Sequence, residues 1–212
     1  MNILELFSGS GIMARTFEKK GYTTHTIDNT YEADLKKDIM DIESRDIPFT
    51  VDIIWASPPC QCFSVASIST HWKGGIRAYV PKSAKCKEAM LLLNKTINLI
   101  SRLKVKYWYI ENPRGVMRKV IDNMFKKHNL SNYVRHTVTY CQYGDSRMKP
   151  TDIWTNNRSW IPKTMCKNGM SCHTAAPRGA KTGTQGLKDS YNRSILPKKL
   201  CEEIVQSHSE MT

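Results

Sequence analysis

The chain opens on an apolar run, Ile3-Leu4-Glu5-Leu6-Phe7, that stops at Ser8-Gly9-Ser10-Gly11. Short apolar runs closed by glycine- or proline-marked turns recur along its length. Residues 2–7 read as a strand, 12–20 as a helix and 22–27 as a second strand ending in Asp28. Val51-Asp52-Ile53-Ile54-Trp55 is rich in β-branched residues and reads as a buried strand, which the Pro58-Pro59 pair ends. Between 85 and 103 the apolar positions Ala89, Met90, Leu93, Ile97 and Ile100 fall near i, i+3, i+4 spacing with lysines opposite, as in a helix packed against a sheet. Further strands are expected at 105–110, 133–139 and 152–155. A helix should start near Gly115, and another after Pro197, where Leu200, Ile204 and Val205 supply the apolar side.

Strands alternating with helices imply an α/β class, a mostly parallel sheet with helices on both faces. Two stretches break the pattern. Residues 64–83 are polar and without periodicity, and read as a mobile loop following the strand and its prolines, which a disordered surface loop would resemble. Residues 156–192, punctuated by Pro162, Gly169, Pro177, Gly179, Gly183 and Gly186, read as a small irregular appendage. The expected organisation is a catalytic and cofactor-binding α/β part over 1–155, a short basic loop-rich segment over 156–192, and a C-terminal helix over 193–212 that packs back on the first part.

Composition narrows the function classes. A net charge of +13 and a pI near 9.5 over 212 residues favour a polyanionic partner, although charge alone does not separate DNA from RNA. No apolar run approaches the roughly 20 residues of a membrane span, and Met1 leads straight into a strand, so no membrane association or secretion is expected. Seven dispersed cysteines suit a reducing compartment better than a disulfide framework.

The candidate chemistry lies at strand ends. Cys60 follows a strand and two prolines that fix φ just before it, which limits where its sulfur can point. Gly9, Gly11 and Ala14 form a G-x-G-x-x-A turn where backbone can approach a ligand closely. Asp28 stands near the spacing at which a carboxylate meets a ribose, so the pair favours an adenosine-containing ligand. Glu111, in Glu111-Asn112-Pro113, is delivered to the same sheet edge as Cys60, or merely caps the next helix. Cys141, Cys166 and Cys172-His173 would suit a structural zinc if they converge, the alternative being reduced, unliganded cysteines.

Ser57-Pro58-Pro59-Cys60-Gln61-Cys62-Phe63-Ser64 resembles the nucleophile loop of the DNA (cytosine-5) methyltransferases. Phe7-Ser8-Gly9-Ser10-Gly11 resembles that family's cofactor loop, and Glu111-Asn112-Pro113 its Glu-Asn-Val segment. The resemblance implies a Rossmann-like S-adenosylmethionine-dependent methyltransferase fold and methyl transfer to C5 of cytosine in DNA, with base flipping. It implies Cys60 as nucleophile and Glu111 as its catalytic partner. Phe7, Ser8, Gly9, Gly11, Asp28, Asn29, Asp38 and Pro59 would hold S-adenosylmethionine. Gln61 and Ser64 would meet the nucleic acid, as would Arg147 or Lys149, which stand after Tyr143-Gly144 where the family has a Gln-x-Arg-x-Arg segment. In the family the loop matching 64–83 closes over the flipped base, so its basic and aromatic residues, Trp72 among them, would meet DNA. Arg178 and Lys181 fall in the position of the target-recognition region, far shorter here than is usual. The C-terminal helix would return to flank the cofactor site. A monomer in a bacterial or phage-infected cytoplasm is the expected setting. Methylation of cytosine in tRNA, or a non-catalytic nucleic-acid-binding accessory role, are the alternatives.

Overall fold

The computed structural model describes residues 1–74, 78–175 and 189–209. Along them run β1 (Asn2–Leu6), α1 (Ile12–Glu18), β2 (Thr23–Asp28), β3 (Leu35–Lys36), β4 (Ile53–Ala56), α2 (Ile68–His71), β5 (Trp72–Lys73), β6 (Val80–Pro81), α3 (Ala84–Leu103), β7 (Tyr107–Pro113), α4 (Met117–Lys127), β8 (Val134–Thr139), β9 (Pro150–Thr155), α5 (Ser190–Ser194) and α6 (Lys198–Ser209). Seven strands form one sheet in the order β3-β2-β1-β4-β7-β9-β8. Neighbours from β3 to β7 are parallel, whereas β9 runs antiparallel to both β7 and β8. Residues 140–149 are too few for the helical crossover that a parallel return needs, so β9 comes back antiparallel and slots between its neighbours.

Side chains of successive strand residues point to opposite faces, and the strands here are apolar on both. Ile3, Ile53, Trp55, Tyr109 and Ile153 fall on one side with Met13 and Phe17 of α1 and Leu200, Ile204 and Val205 of α6. Leu4, Leu6, Ile54, Ala56, Ile110 and Trp154 fall on the other with Leu93, Ile97 and Ile100 of α3 and Ile121 and Phe125 of α4. The C-terminal helix thus packs back on the sheet, where the buried His208 sets Nε2 2.9 Å from the Tyr109 hydroxyl. Burial lowers the His208 pKa to about 4, so the ring is neutral. Glu5 is likewise buried in β1, accepting the Ala14 N–H at 2.8 Å, and burial lifts its pKa to about 8. No helix among the described residues is long and apolar enough to cross a membrane.

One expectation needs correcting. Residues 64–83 are not simply irregular: α2 leads into the β5–β6 hairpin. Trp72, expected to be available to nucleic acid, is buried, and its indole N–H donates to the Cys62 carbonyl at 2.6 Å. The indole therefore braces the loop before it from beneath, an apolar use that hydropathy periodicity cannot register in a two-residue strand. Residues 75–77 lie outside the described residues.

Candidate active site

The sheet register brings three loops together. Leu6 pairs with Ala56 and Ala56 with Ile110, so the loops after β1 and β4 leave the sheet side by side. β7 runs three residues beyond that level, which sets Glu111 beside Ser57 and opposite Ile153 of β9. Glu111 is buried, accepts a hydrogen bond from the Tyr140 hydroxyl at 3.2 Å and is also hydrogen-bonded by the Ser57 side chain. Ser57 in turn accepts the Trp55 indole N–H at 2.9 Å.

The loop carrying Cys60 is fastened at both ends. The Asn112 side-chain amide donates to the Pro58 carbonyl at 2.8 Å, and the Val116 N–H donates to the Phe63 carbonyl at 2.8 Å. Gly115 permits the second contact, because a Cβ there would lie 2.1 Å from the Phe63 carbonyl oxygen. Within the loop, the Phe63 N–H closes a turn on the Cys60 carbonyl at 2.9 Å. Cys60 is half-buried, Pro59 and Gln61 are exposed, and Ser64 lies between.

Cys60, Glu111 and Lys149 act on one another. Burial raises the Cys60 thiol pKa, the negative charge of Glu111 raises it further, and Lys149 and Arg193 oppose both. Burial also raises the Glu111 carboxyl pKa against the pull of Lys149 and the Tyr140 and Ser57 hydrogen bonds. Lys149 is lowered by burial and held up by Glu111 and Cys60. Its ammonium donates to the Arg193 carbonyl at 2.7 Å and lies 4.5 Å from the centroid of the Tyr140 ring. The Cys60 thiol, the Glu111 carboxyl and the Lys149 ammonium are therefore electrostatically coupled, with Arg193 a second cation acting on the thiol.

Arg147 has a different position from the one expected. It is buried, paired with the Asp145 carboxylate, and donates to the carbonyls of Asn192, Arg193 and Ile195 at 3.1, 3.1 and 3.2 Å. The guanidinium is thus spent on fixing the connection into α6, which corrects its assignment as a nucleic-acid contact and leaves Lys149 as the cation at the thiol. Arg178 and Lys181 lie outside the described residues.

The turn after β1 has φ of 57° at Phe7, 53° at Gly9 and 62° at Gly11, a left-handed path that glycine adopts without strain. Asp28 clasps it: one carboxylate oxygen accepts the Gly9 N–H at 2.9 Å, the other the N–H groups of Thr30 and Tyr31 at 2.8 and 2.9 Å. Asp38 caps a short 3-10 turn through the Met40 N–H and accepts the Asn29 side-chain amide at 3.0 Å. These carboxylates therefore shape the rim as well as offering remaining lone pairs. A cleft of about 760 Å³ is bordered by Gly9, Gly11, Ala14, Tyr31, Asp34 and Tyr191, the last two rings lying 5.0 Å apart. Phe7, Asp28, Asn29, Asp38 and Pro59 stand at neighbouring strand ends and do not line it. The buried Ser8 hydroxyl has no protein partner among the described residues, an orphan donor beside the glycine turn of the kind a polar ligand satisfies.

Sequence reasoning missed Tyr140, Ser57 and Asn112. Each acts across the sheet at a distance of 29 to 54 positions, and the only sequence signal was adjacency to Tyr143-Gly144, Pro58 and Glu111. The four sulfur and nitrogen ligands Cys141, Cys166, Cys172 and His173 also converge, with all four atoms within 4.8 Å of one another.

The sequence model of the C-5 cytosine-specific DNA methylase family matches residues 1–133. The chain is 30% identical over 176 residues to a frog virus 3 (isolate Goorha) protein named "Probable DNA (cytosine-5)-methyltransferase", covering 81% of this chain and 78% of the viral one. It is 30% identical over 131 residues to Type II methyltransferase M.FnuDI of Fusobacterium nucleatum, covering 56% of this chain and 34% of that protein. In fold it is similar to a protein encoded within an E. coli prophage and solved as a candidate DNA modification methyltransferase. That match has a TM-score of 0.55 at 17% identity and covers 78% of this chain and 52% of the other.

Proposed function

The chain belongs to the C-5 cytosine-specific DNA methylase family, and from that premise we propose that it methylates C5 of cytosine in DNA through a covalent Cys60 adduct. What supports the residue assignments is the pairing of β4 with β7, which delivers Cys60 and Glu111 to one sheet edge, together with the Glu111 charge raising the Cys60 pKa and Lys149 acting on both.

Cytosine C5 is unreactive until a nucleophile adds at C6, and that addition drives electrons toward N3. The pocket answers both demands with one proton. Moving it from the Cys60 thiol to the Glu111 carboxylate creates the nucleophile and the acid together, and Lys149 balances the single negative charge that remains. The thiolate then bonds to C6 as Glu111 donates to N3, which leaves C5 with enamine character. After substitution at C5, a water acting as base takes the C5 proton, and the C–H electron pair re-forms the C5–C6 double bond as the S–C6 bond breaks. Cys60 leaves as thiolate, and the N3 proton returns to Glu111. Tyr140 and Ser57 hold the carboxyl in place throughout.

S-adenosylmethionine, when bound, supplies an electrophilic methyl group on a sulfonium. The left-handed glycine turn and the orphan Ser8 hydroxyl suit such a ligand. Phe7, Ser8, Gly9 and Gly11 would hold it from one side, Asp28, Asn29 and Asp38 from the ribose and adenine side, with Pro59 next to the nucleophile. Gln61 and Ser64 would meet the extruded nucleotide and Lys149 the base. A stacked cytosine is out of reach, so a duplex target must be flipped, at a cost of a few kcal/mol that phosphate contacts offset.

Covalent trapping tests the reading. The reduced full-length protein is incubated with cofactor and duplex DNA containing 5-fluorocytosine. A denaturation-resistant complex is expected, absent in Cys60→Ser, with methyl transfer to ordinary DNA reduced by at least about a thousandfold in that variant. Full activity of Cys60→Ser refutes the covalent mechanism, and methylation of tRNA in preference to DNA in a parallel assay moves the substrate to RNA.

A further inference from the structure

Three thiols and one imidazole meet where the turn after β8, which carries Tyr140, approaches the segment 161–175. Cys166 Sγ lies 3.2 Å from Cys172 Sγ and 3.3 Å from His173 Nδ1. Cys172 Sγ lies 3.6 Å from Cys141 Sγ and 3.7 Å from His173 Nδ1. Zinc bonds of about 2.3 Å to sulfur and 2.0 Å to nitrogen, in a tetrahedron, put neighbouring ligand atoms roughly 3.5–3.8 Å apart. Four of the six separations, 3.2 to 3.7 Å, are close to the edges of such a shell, and all four atoms lie within 4.8 Å of one another. A disulfide would bring two sulfurs to about 2.05 Å and leave the other two ligands without a reason to converge.

We propose that Cys141, Cys166, Cys172 and His173 form a structural zinc site that fastens the segment 161–175 to the turn carrying Tyr140. Binding converts three thiols to thiolates, releases three protons, and gives a Zn(Cys)₃(His) centre of net charge −1, with His173 ligating through Nδ1. Such a centre suits the strongly basic chain.

The segment's composition explains why a metal is needed there. Between 161 and 175 only Cys166 is buried, and the polypeptide is otherwise tied down by a few hydrogen bonds. The Lys163 N–H donates to the Tyr143 hydroxyl at 2.9 Å, Cys166 N–H to Thr139 Oγ1 at 2.8 Å, and Thr174 N–H to the Ser146 carbonyl at 2.9 Å. These hydrogen bonds leave most of the entropy of ordering the segment's backbone uncompensated, and a metal that binds only the folded arrangement would supply the missing stabilisation. Three ligands come from the segment and one, Cys141, from the turn after β8. The residue before Cys141 is Tyr140, whose hydroxyl donates to Glu111, so the metal would stiffen the wall of the catalytic pocket from behind. The site stands apart from the methyl-transfer reading and survives its failure.

Metal analysis of the reduced full-length protein, purified without chelator or affinity-column nickel, should find about one zinc atom per chain. Replacement by cobalt should give the intense visible bands of a tetrahedral thiolate-bound ion. His173→Cys should keep the metal as a four-thiolate site, while His173→Ala and Cys166→Ser should lose most of it. Removing zinc should speed amide exchange between 163 and 174 at least about tenfold, with the strands of the sheet unchanged. Absence of metal in the wild-type protein together with no thiolate-to-cobalt absorption on titration, an octahedral cobalt spectrum, or a Cys166–Cys172 disulfide in protein from a reducing lysate would each overturn the proposal.

Discussion

Two cysteine-bearing stretches of this chain, 57–64 and 161–175, are held by different physics. The first rides on the ends of parallel strands that are apolar on both faces, and two of its carbonyls accept hydrogen bonds from Asn112 of β7 and from Val116 at the start of α4. Its conformation is inherited from the register of the sheet. The second borrows almost nothing from an apolar core, and the convergence of its sulfurs stands in for one. A reactive thiol can thus sit on a rigid frame, while a segment with almost no apolar core is gathered around its cysteines.

The contrast can be tested from its strongest consequence to its weakest. On the sheet side, Glu111→Gln should leave the fold intact, because the amide still accepts from Tyr140, yet lower kcat by about 10²–10⁴-fold in a radiolabelled-cofactor assay. Equal loss of thermal stability would show that the pocket is not independently framed. His208 probes the frame itself. Its folded-state pKa of about 4 lies below the ordinary 6.5, so as pH falls the unfolded chain takes up the proton first. Its contribution is complete above 6.5 and drains away toward 4, by up to roughly 3 kcal/mol. Glu5, raised to about 8, acts in the opposite sense, its contribution fading as pH rises from 4.5 through 8. Urea titrations of the wild type and His208→Gln across this range should therefore differ in slope between pH 6.5 and 4, the variant being flatter.

On the segment side, Thr139→Val removes the acceptor of the buried Cys166 N–H and should cost about 1–3 kcal/mol, read as faster exchange confined to 160–175. Exchange spreading through the sheet would dissolve the distinction between the two regions. The smallest effect is expected for Tyr140→Phe, which deletes one hydrogen bond to Glu111 and should reduce kcat about tenfold with little change in KM.

Sequence reading reached what is local and failed where contacts span the sheet. The strand at 51–55 announces itself because β-branched residues are packed into a few positions, and Cys60 because prolines bracket its approach. Glu111 is legible as a strand-end acid, but not its bonds to Tyr140 and Ser57, which depend on strand order. The antiparallel β9 was equally hidden, since a run such as Thr151-Asp152-Ile153-Trp154 has the same composition in either direction. Arg147 was named, with Lys149, for its place after Tyr143-Gly144, and that adjacency does not report the Asp145 carboxylate and the Asn192, Arg193 and Ile195 carbonyls that hold its guanidinium. The Cys141, Cys166, Cys172 and His173 meeting point has no regular spacing to announce it, because one ligand comes from across a strand pair.

The double fastening of the Cys60 loop, through Asn112 at one end and Val116 at the other, holds the backbone on either side of the thiol. Under the proposed mechanism most of the travel before bond formation is then the substrate's, and its pace follows the local melting of the duplex. Mispaired or gapped cytosines should reach the sulfur soonest.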